Sequence, residues 1–101
     1  MGAHNFETWG RGKTAKEAYD NAVADALYDE GHNPYNGTIS TTNSFIMIEL
    51  TGGESLDEWR HRVTMDDRVQ KWENCGCVKH PDKEPDGEGR DCYCFAGWAA
   101  S

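Results

Sequence analysis

The spacing of hydrophobic positions changes several times along the chain, and each change predicts a different element. Residues 3–9 alternate loosely between apolar and polar side chains and end at a Gly-Arg-Gly turn, which predicts a short strand. The sequence Thr14-Ala15-Lys16-Glu17 is a capping box, and apolar, mostly small residues then recur every three or four positions. This pattern predicts a helix that packs closely on a sheet, and Gly31 is suited to end it.

The middle of the chain predicts two strands and a second helix. Residues 38–41 and 44–50 are bounded by turn residues and should pair as a hairpin. Apolar side chains fall on both faces of residues 44–50, which is typical of a central strand. Ser55-Leu56-Asp57-Glu58 is again a capping box and predicts a helix that runs to about Met65. The buried stripe of this helix should contain Leu56, Trp59 and Val63.

Two further extended segments, residues 68–78 and 91–99, are separated by a stretch rich in proline and charge, and we expect them to form a hairpin. The order strand, helix, strand, strand, helix, strand, strand predicts an α+β fold. We expect a ferredoxin-like sandwich, in which both helices pack on one face of an antiparallel sheet, with an added C-terminal hairpin that carries the cysteines. At 101 residues the chain should form a single domain over residues 1–101.

The chain contains two C-x-C pairs in this predicted hairpin, Cys75 with Cys77 and Cys92 with Cys94. Residues two apart in a strand project from the same face, so each pair should present two sulfurs together. If the segments pair, all four sulfurs could converge as ligands of a structural zinc ion. Gly76 would then provide the conformational freedom that the backbone of a metal-binding loop needs.

Other interpretations of the cysteines stay open. Zinc knuckles more often have two residues between paired cysteines, and His80 could replace one sulfur in a Cys3His set. The cysteines could also be reduced and pack as small hydrophobic residues, or form two cross-strand disulfides in a secreted protein. Thiol redox catalysis is disfavoured, because it usually requires C-x-x-C at a helix N-terminus.

Charge points to a partner rather than to a reaction. Eighteen Asp and Glu residues against ten Lys and Arg residues give a formal net charge of -8. Such a field repels phosphates and favours a macromolecular partner with a basic surface over nucleic acid. The first candidate surface is the loop that carries Asp82, Glu84, Asp86 and Glu88, although an acidic loop can also simply keep a hairpin soluble.

Two other candidate sites have simpler structural explanations. His32, Tyr35 and Asn36 could line a pocket for a small ligand, but they also lie in a cluster of turn residues. The sequence Trp59-Arg60-His61-Arg62 could bind phosphate, but flanking acidic residues favour an exposed, salt-bridged helix face.

The sequence contains no nucleophile elbow, P-loop, H-E-x-x-H or dinucleotide fingerprint. It also contains no apolar run long enough to span a bilayer, and its first residues do not resemble a signal peptide. We therefore expect a cytoplasmic binding or inhibitory protein without enzymatic activity. The alternatives are a small zinc- or thiol-dependent enzyme and a domain that sequesters a small ligand.

The segment Gly31-His32-Asn33-Pro34-Tyr35-Asn36-Gly37-Thr38-Ile39-Ser40-Thr41-Thr42 resembles small uncharacterised proteins encoded by actinobacterial phages. The resemblance covers about half of the chain, residues 1–50, and does not reach the cysteines. It implies no catalytic residues. It implies a role in host takeover or in counteracting a host defence, exerted by binding.

Overall fold

The computed structural model describes residues 3–30 and 38–100. These residues form a four-stranded sheet, two α-helices and one short 3-10 helix. The strands have the spatial order β1-β4-β3-β2, in which β4 pairs antiparallel with β1 and β3, while β2 pairs parallel with β3. The elements in chain order are β1 (Ala3–Gly12), α1 (Ala15–Glu30), the 3-10 helix (Ile39–Thr41), β2 (Ser44–Met47), α2 (Leu56–Thr64), β3 (Asn74–Lys79) and β4 (Asp91–Ala100).

The α+β class is confirmed, but the sheet is mixed rather than purely antiparallel, and the ferredoxin-like sandwich is not confirmed. The predicted hairpin of residues 38–41 with 44–50 is wrong, because the first of these segments is a 3-10 helix. In this turn the hydroxyls of Thr41 and Thr42 donate to the carbonyl oxygens of Thr38 and Ile39, at 2.9 and 2.6 Å. Such local bonds compete with strand pairing. β2 is consequently an edge strand, not a central one.

Both predicted helix starts are confirmed. The Thr14 hydroxyl accepts the Glu17 backbone N–H at 3.2 Å, while the Glu17 carboxylate accepts from Lys13, one residue before the cap. At α2 the capping box is complete, with reciprocal bonds between Ser55 and Glu58 at 3.1 and 3.2 Å. These bonds satisfy backbone donors that would otherwise be free at each helix start. The predicted end of α1 at Gly31 lies outside the described residues.

α1 packs on one face of the sheet, where glycine permits a close approach. A Cβ atom at Gly10 or Gly12 would lie 2.4 Å from backbone atoms of Ala18, so only glycine fits there. On the same face the ring of Tyr19 packs against Phe45 and Phe95, at centroid distances of 5.2 and 5.9 Å. The fully and nearly buried residues of this first core are Ala18, Tyr19, Ala22, Ile39, Cys75, Cys77 and Phe95.

α2 packs on the opposite face, so the prediction that both helices share one face is wrong. α2 connects the parallel strands β2 and β3, and a parallel pair requires such a crossover. Trp59 is fully buried as predicted, and its indole N–H donates to the Ile48 carbonyl oxygen at 2.6 Å. Gly76 serves this packing rather than a metal, because its absent Cβ leaves room for Val63. The second core contains Ile48, Trp59, Val63, Val69, Val78, Cys94 and Ala96.

The hairpin of the two C-terminal segments is confirmed, although β3 begins only at Asn74. The residues before it form turns instead of a strand. The Asp66 carboxylate accepts the Arg68 backbone N–H at 2.8 Å, and Trp72 has a φ of 69°, in the left-handed region. Neither feature is compatible with extended pairing.

Candidate functional site

The four cysteines of the C-terminal hairpin do not gather on one side of the sheet. In the β3–β4 register Cys77 lies opposite Phe95, and Cys94 lies opposite Val78. Because successive residues of a strand alternate between faces, the pair on β3 faces α1, whereas the pair on β4 faces α2. The expected convergence of four sulfurs is wrong, since pairing cysteine with cysteine would require a register shifted by one residue.

Cys75 and Cys77 instead belong to the first hydrophobic core and Cys94 to the second, and Cys92 is also buried. All four thiols are free and buried, and Cys75, Cys77 and Cys94 have no exposed surface. Burial raises the pKa of Cys75 and of Cys94 to about 12, and it raises the pKa of Cys77 as well. Since the thiolate is the reactive form, these side chains act as packing residues near neutral pH.

The residues present do not fit a four-thiolate zinc site, because tetrahedral zinc needs its four ligands around one point. Within residues 3–30 and 38–100, no group of three or more His, Cys, Asp or Glu side chains could hold a metal ion. His80, the alternative ligand, accepts the Asp82 backbone N–H at 3.1 Å through Nδ1 and so supports the turn. Zinc binding therefore stays a prediction that the arrangement of the sulfurs does not support.

The loop between β3 and β4, residues 80–90, contains the acidic residues predicted as a contact surface, and Asp86 holds its shape. One oxygen of the Asp86 carboxylate accepts the backbone N–H groups of Glu88 and Arg90, at 2.9 and 3.0 Å. The other oxygen accepts from Arg90 Nε at 2.9 Å. These hydrogen bonds lower the pKa of Asp86, and the bond from the Arg90 backbone N–H has the largest effect. Asp86 is thus a support of the loop, and its carboxylate is already engaged.

A second support comes from the edge strand β1. The Arg11 Nη1 group donates to the carbonyl oxygens of Glu84 at 3.2 Å and of Arg90 at 3.1 Å. One guanidinium therefore ties both arms of the loop to the sheet. The carbonyl oxygen of Arg11 itself accepts from the Asn21 amide of α1 at 2.8 Å, which fixes the strand end that carries it.

The loop leaves Asp82, Glu84 and Glu88 exposed to solvent. We call these three carboxylates the acidic rim. The Glu88 side chain is 74% exposed, although Arg90 lies 3.6 Å away. The predicted contact surface therefore contains three outward carboxylates and one structural one. The sequence Asp86-Gly87-Glu88-Gly89 could have identified the structural role, because Asp followed by Gly is typical of a side-chain-supported turn.

Charge over the described residues is unevenly compensated. Seven ion pairs, with distances of 2.8 to 3.6 Å, engage Lys16, Arg60, Arg62, Arg68, Lys79 and Arg90. Because the carboxylates outnumber the basic groups, acidic side chains without a cationic partner remain after these pairs have formed. The electrostatic potential at the protein surface is therefore negative on balance.

The basic stretch of α2 is salt-bridged, as expected. Arg62 forms two bonds with the Glu54 carboxylate, at 2.8 and 2.9 Å, and also donates to the Glu49 carbonyl oxygen at 2.7 Å. The hydrogen bonds from Arg62 lower the pKa of Glu54 to about 2. Arg60 lies 3.5 Å from Glu7 of β1. A phosphate ligand would have to displace these carboxylates, which disfavours phosphate binding here.

An open cleft of about 390 Å³ lies where the end of α2 meets β4. Its lining includes Met65, Asp66, Asp67 and Trp98. The Trp98 indole N–H is already bonded to the Thr64 carbonyl oxygen at 2.8 Å, and the Asp66 carboxylate is bonded to Arg68. This cleft does not include the residues that the sequence suggested for ligand binding. His32, Tyr35 and Asn36 lie outside the described residues.

Comparison of the chain with protein-family models, with curated proteins and with solved structures finds no match. The resemblance to phage proteins therefore stays a prediction. Of the helices that the structure describes, neither is long and apolar enough to cross a membrane.

Proposed function

We propose that this protein is a binding or inhibitory protein without enzymatic activity, and that it presents the acidic rim to a basic surface of a macromolecular partner. The observation that carries the proposal is the double support of the loop by Asp86 and Arg11. A loop that is already ordered loses little entropy on binding, so its carboxylates can contribute more of their interaction energy to affinity.

Charge supports the same proposal. The described ion pairs engage six of the ten Lys and Arg side chains, and the carboxylates of the loop outnumber its own cations, Lys83 and Arg90. Complementary potentials accelerate association and make it sensitive to salt. A partner that normally binds nucleic acid would offer such a basic surface, and the resemblance to phage proteins is consistent with host takeover or with a block of host defence.

The proposal is tested with two variants of equal charge change. The first, Asp82→Asn with Glu84→Gln and Glu88→Gln, neutralises the acidic rim. The control, with Asp25→Asn, Glu49→Gln and Glu73→Gln, neutralises three exposed carboxylates elsewhere. Association with an immobilised peptide of alternating lysine and arginine is measured at about 0.05 M and about 0.3 M salt, because screening separates the electrostatic contribution.

We expect the acidic-rim variant to associate several-fold more slowly than the control at low salt, and the difference to shrink at high salt. Equal slowing of both variants would mean that only net charge matters, and the loop would not be the contact surface. Association at the wild-type rate in both variants would contradict the proposed binding function.

A further inference from the structure

Trp9 is a large aromatic residue that the fold leaves half exposed on its edge strand. The residue retains 54% of its accessible surface, although apolar residues of this size usually lie largely in a core. In the β1–β4 register Trp9 lies opposite Cys94, so it projects on the α2 face of the sheet. No motif or spacing in the sequence indicated a role for Trp9.

Trp9 lies directly opposite the buried Cys94 in the β1–β4 ladder, and its neighbours on the same face connect β1 to two other elements. Arg11, two residues along on the same face, is fixed to the loop by its bonds with Glu84 and Arg90. Glu7, two residues in the other direction, pairs with Arg60 of α2 at 3.5 Å. Trp9 therefore lies between the acidic loop on one side and α2 on the other.

We infer that Trp9 is the anchor of the partner surface, and that it stacks against an arginine or lysine side chain whose charge is met by the acidic rim. This inference rests on the proposed function and adds a second kind of contact to it. An aromatic face attracts cations through its quadrupole, and arginine stacks on such faces especially well. The flanking contacts matter, because Glu7 compensates the charge of Arg60. Arg11 keeps its charge, but its guanidinium is directed to carbonyl oxygens of the loop, next to the acidic rim, whose three carboxylates outnumber it.

Its position makes Trp9 a stronger candidate than the other exposed apolar residues. Binding energy at interfaces concentrates in aromatic and arginine residues. Tyr28 is 91% exposed on α1, the helix on the opposite face. Met65 lies at the end of α2, in the cleft beside Trp98. Of the exposed large apolar residues that the structure describes, only Trp9 lies on the strand that carries Arg11, since Met47 is on β2 at the other edge of the sheet and Trp72 precedes β3.

The test measures equilibrium binding of an octa-arginine peptide to the intact protein at low and moderate salt. The variants are Trp9→Ala, Trp9→Phe and, as a matched exposed aromatic control, Tyr28→Ala, beside the acidic-rim variant. We expect Trp9→Ala to weaken binding about tenfold at both salt concentrations, as for a residue that contributes strongly to an interface. Trp9→Phe should retain most of the affinity, and Tyr28→Ala should change it less than about twofold.

The salt dependence separates this inference from the proposed function. Loss of the acidic rim should flatten the dependence of binding on salt, whereas loss of Trp9 should lower affinity without changing that slope. If the acidic-rim variant behaves as expected but Trp9→Ala binds like wild type, the inference is overturned and the proposed function stands. If Trp9→Ala weakens binding while the acidic-rim variant does not, the proposed function fails.

An NMR titration of the wild-type protein gives an answer even if Trp9→Ala does not fold. The indole N–H signal of Trp9 is assigned by its disappearance in Trp9→Phe. We expect this signal to shift with octa-arginine together with the backbone signals of the loop. If the loop signals move and the indole signal stays still, Trp9 is not part of the contact.

Discussion

Replacing Gly76 with alanine tests whether α2 lies on the face opposite α1. A Cβ atom at this position of β3 would lie 2.5 Å from Val63 Cγ1 and 3.3 Å from Ile48 Cδ1. Val63 is fully buried, so its side chain has little room to move away. The substitution therefore forces α2 and β3 apart or twists Val63 from its preferred rotamer.

The expected cost follows from two opposing effects. Overpacking a core typically destabilises by about 1–3 kcal/mol, while replacing glycine by alanine within an element returns about 0.5–1 kcal/mol of backbone entropy. We expect Gly76→Ala to lower the free energy of unfolding by about 1–2 kcal/mol, a substantial part of the usual 5–15 kcal/mol of a domain. Val63→Ala alone should cost about 2–3 kcal/mol, from two lost methyl groups and the cavity that they leave.

The double variant provides the decisive measurement. With Val63 shortened, the new methyl group at position 76 enters vacated space, so the double variant should be about as stable as Val63→Ala alone. The coupling free energy should be about 1–2 kcal/mol. Urea unfolding followed by tryptophan fluorescence, in reducing agent, gives these values. Gly52→Ala is the matched control, because a Cβ atom there meets nothing within 4 Å. Additive effects, or a neutral Gly76→Ala, would refute the placement of α2.

Three further outcomes are expected. The thiols of Cys75 and Cys94, with pKa values of about 12, should react with a thiol reagent at pH 8 only after unfolding. A chelator should leave the midpoint of urea unfolding unchanged. Fast reaction of the native protein, or loss of stability in chelator, would contradict the packing role of these cysteines. The pKa values of Glu54 and Asp66 are lowered to about 2 in the folded state, so both carboxylates stabilise it above their unfolded pKa near 4. The free energy of unfolding should therefore fall as pH drops from about 5 towards 2, and it should fall less steeply in Glu54→Gln. A parallel decline in that variant would count against the ion pair. Asp86→Ala should accelerate amide hydrogen exchange at positions 88 and 90, while the β3–β4 ladder keeps its protection. Unchanged exchange at positions 88 and 90 would show that the carboxylate does not order the loop.

Local signals predicted the elements of this fold better than their arrangement. The capping sequences before both helices and the apolar stripe containing Trp59 correspond directly to the structure, because each depends on residues close in sequence. The threonine-rich segment at residues 38–41 was misassigned, since β-branched residues also favour strands and only the hydroxyl bonds show the turn. Spacing along the chain could not indicate which face of the sheet each helix covers.

In the candidate site as well, features that depend on nearby residues could be predicted, whereas those that depend on distant contacts could not. That paired cysteines share a face within one strand follows from the two-residue period, but the register between strands decides whether two such pairs meet. The observed register differs by one residue from the one that would bring the two pairs together, so the pairs face opposite sides of the sheet. The acidic loop was recognisable from composition, whereas the supporting role of Arg11 depends on a contact across more than seventy residues of sequence.

The full-length pairing of β1 with β4 affects how this protein can fold during synthesis. Its register joins Ala3 to Ala100 and Gly12 to Asp91, so β1 finds its neighbour in the sheet only after β4 has been translated. Until then, β1 and the face of α1 that packs on it have incomplete partners, and contacts of such long range are intrinsically slow to form. A ribosome-bound chain that stops before residue 91 should therefore remain unfolded and depend on chaperones, whereas a chain that extends beyond β4 should assemble the sheet in one cooperative step.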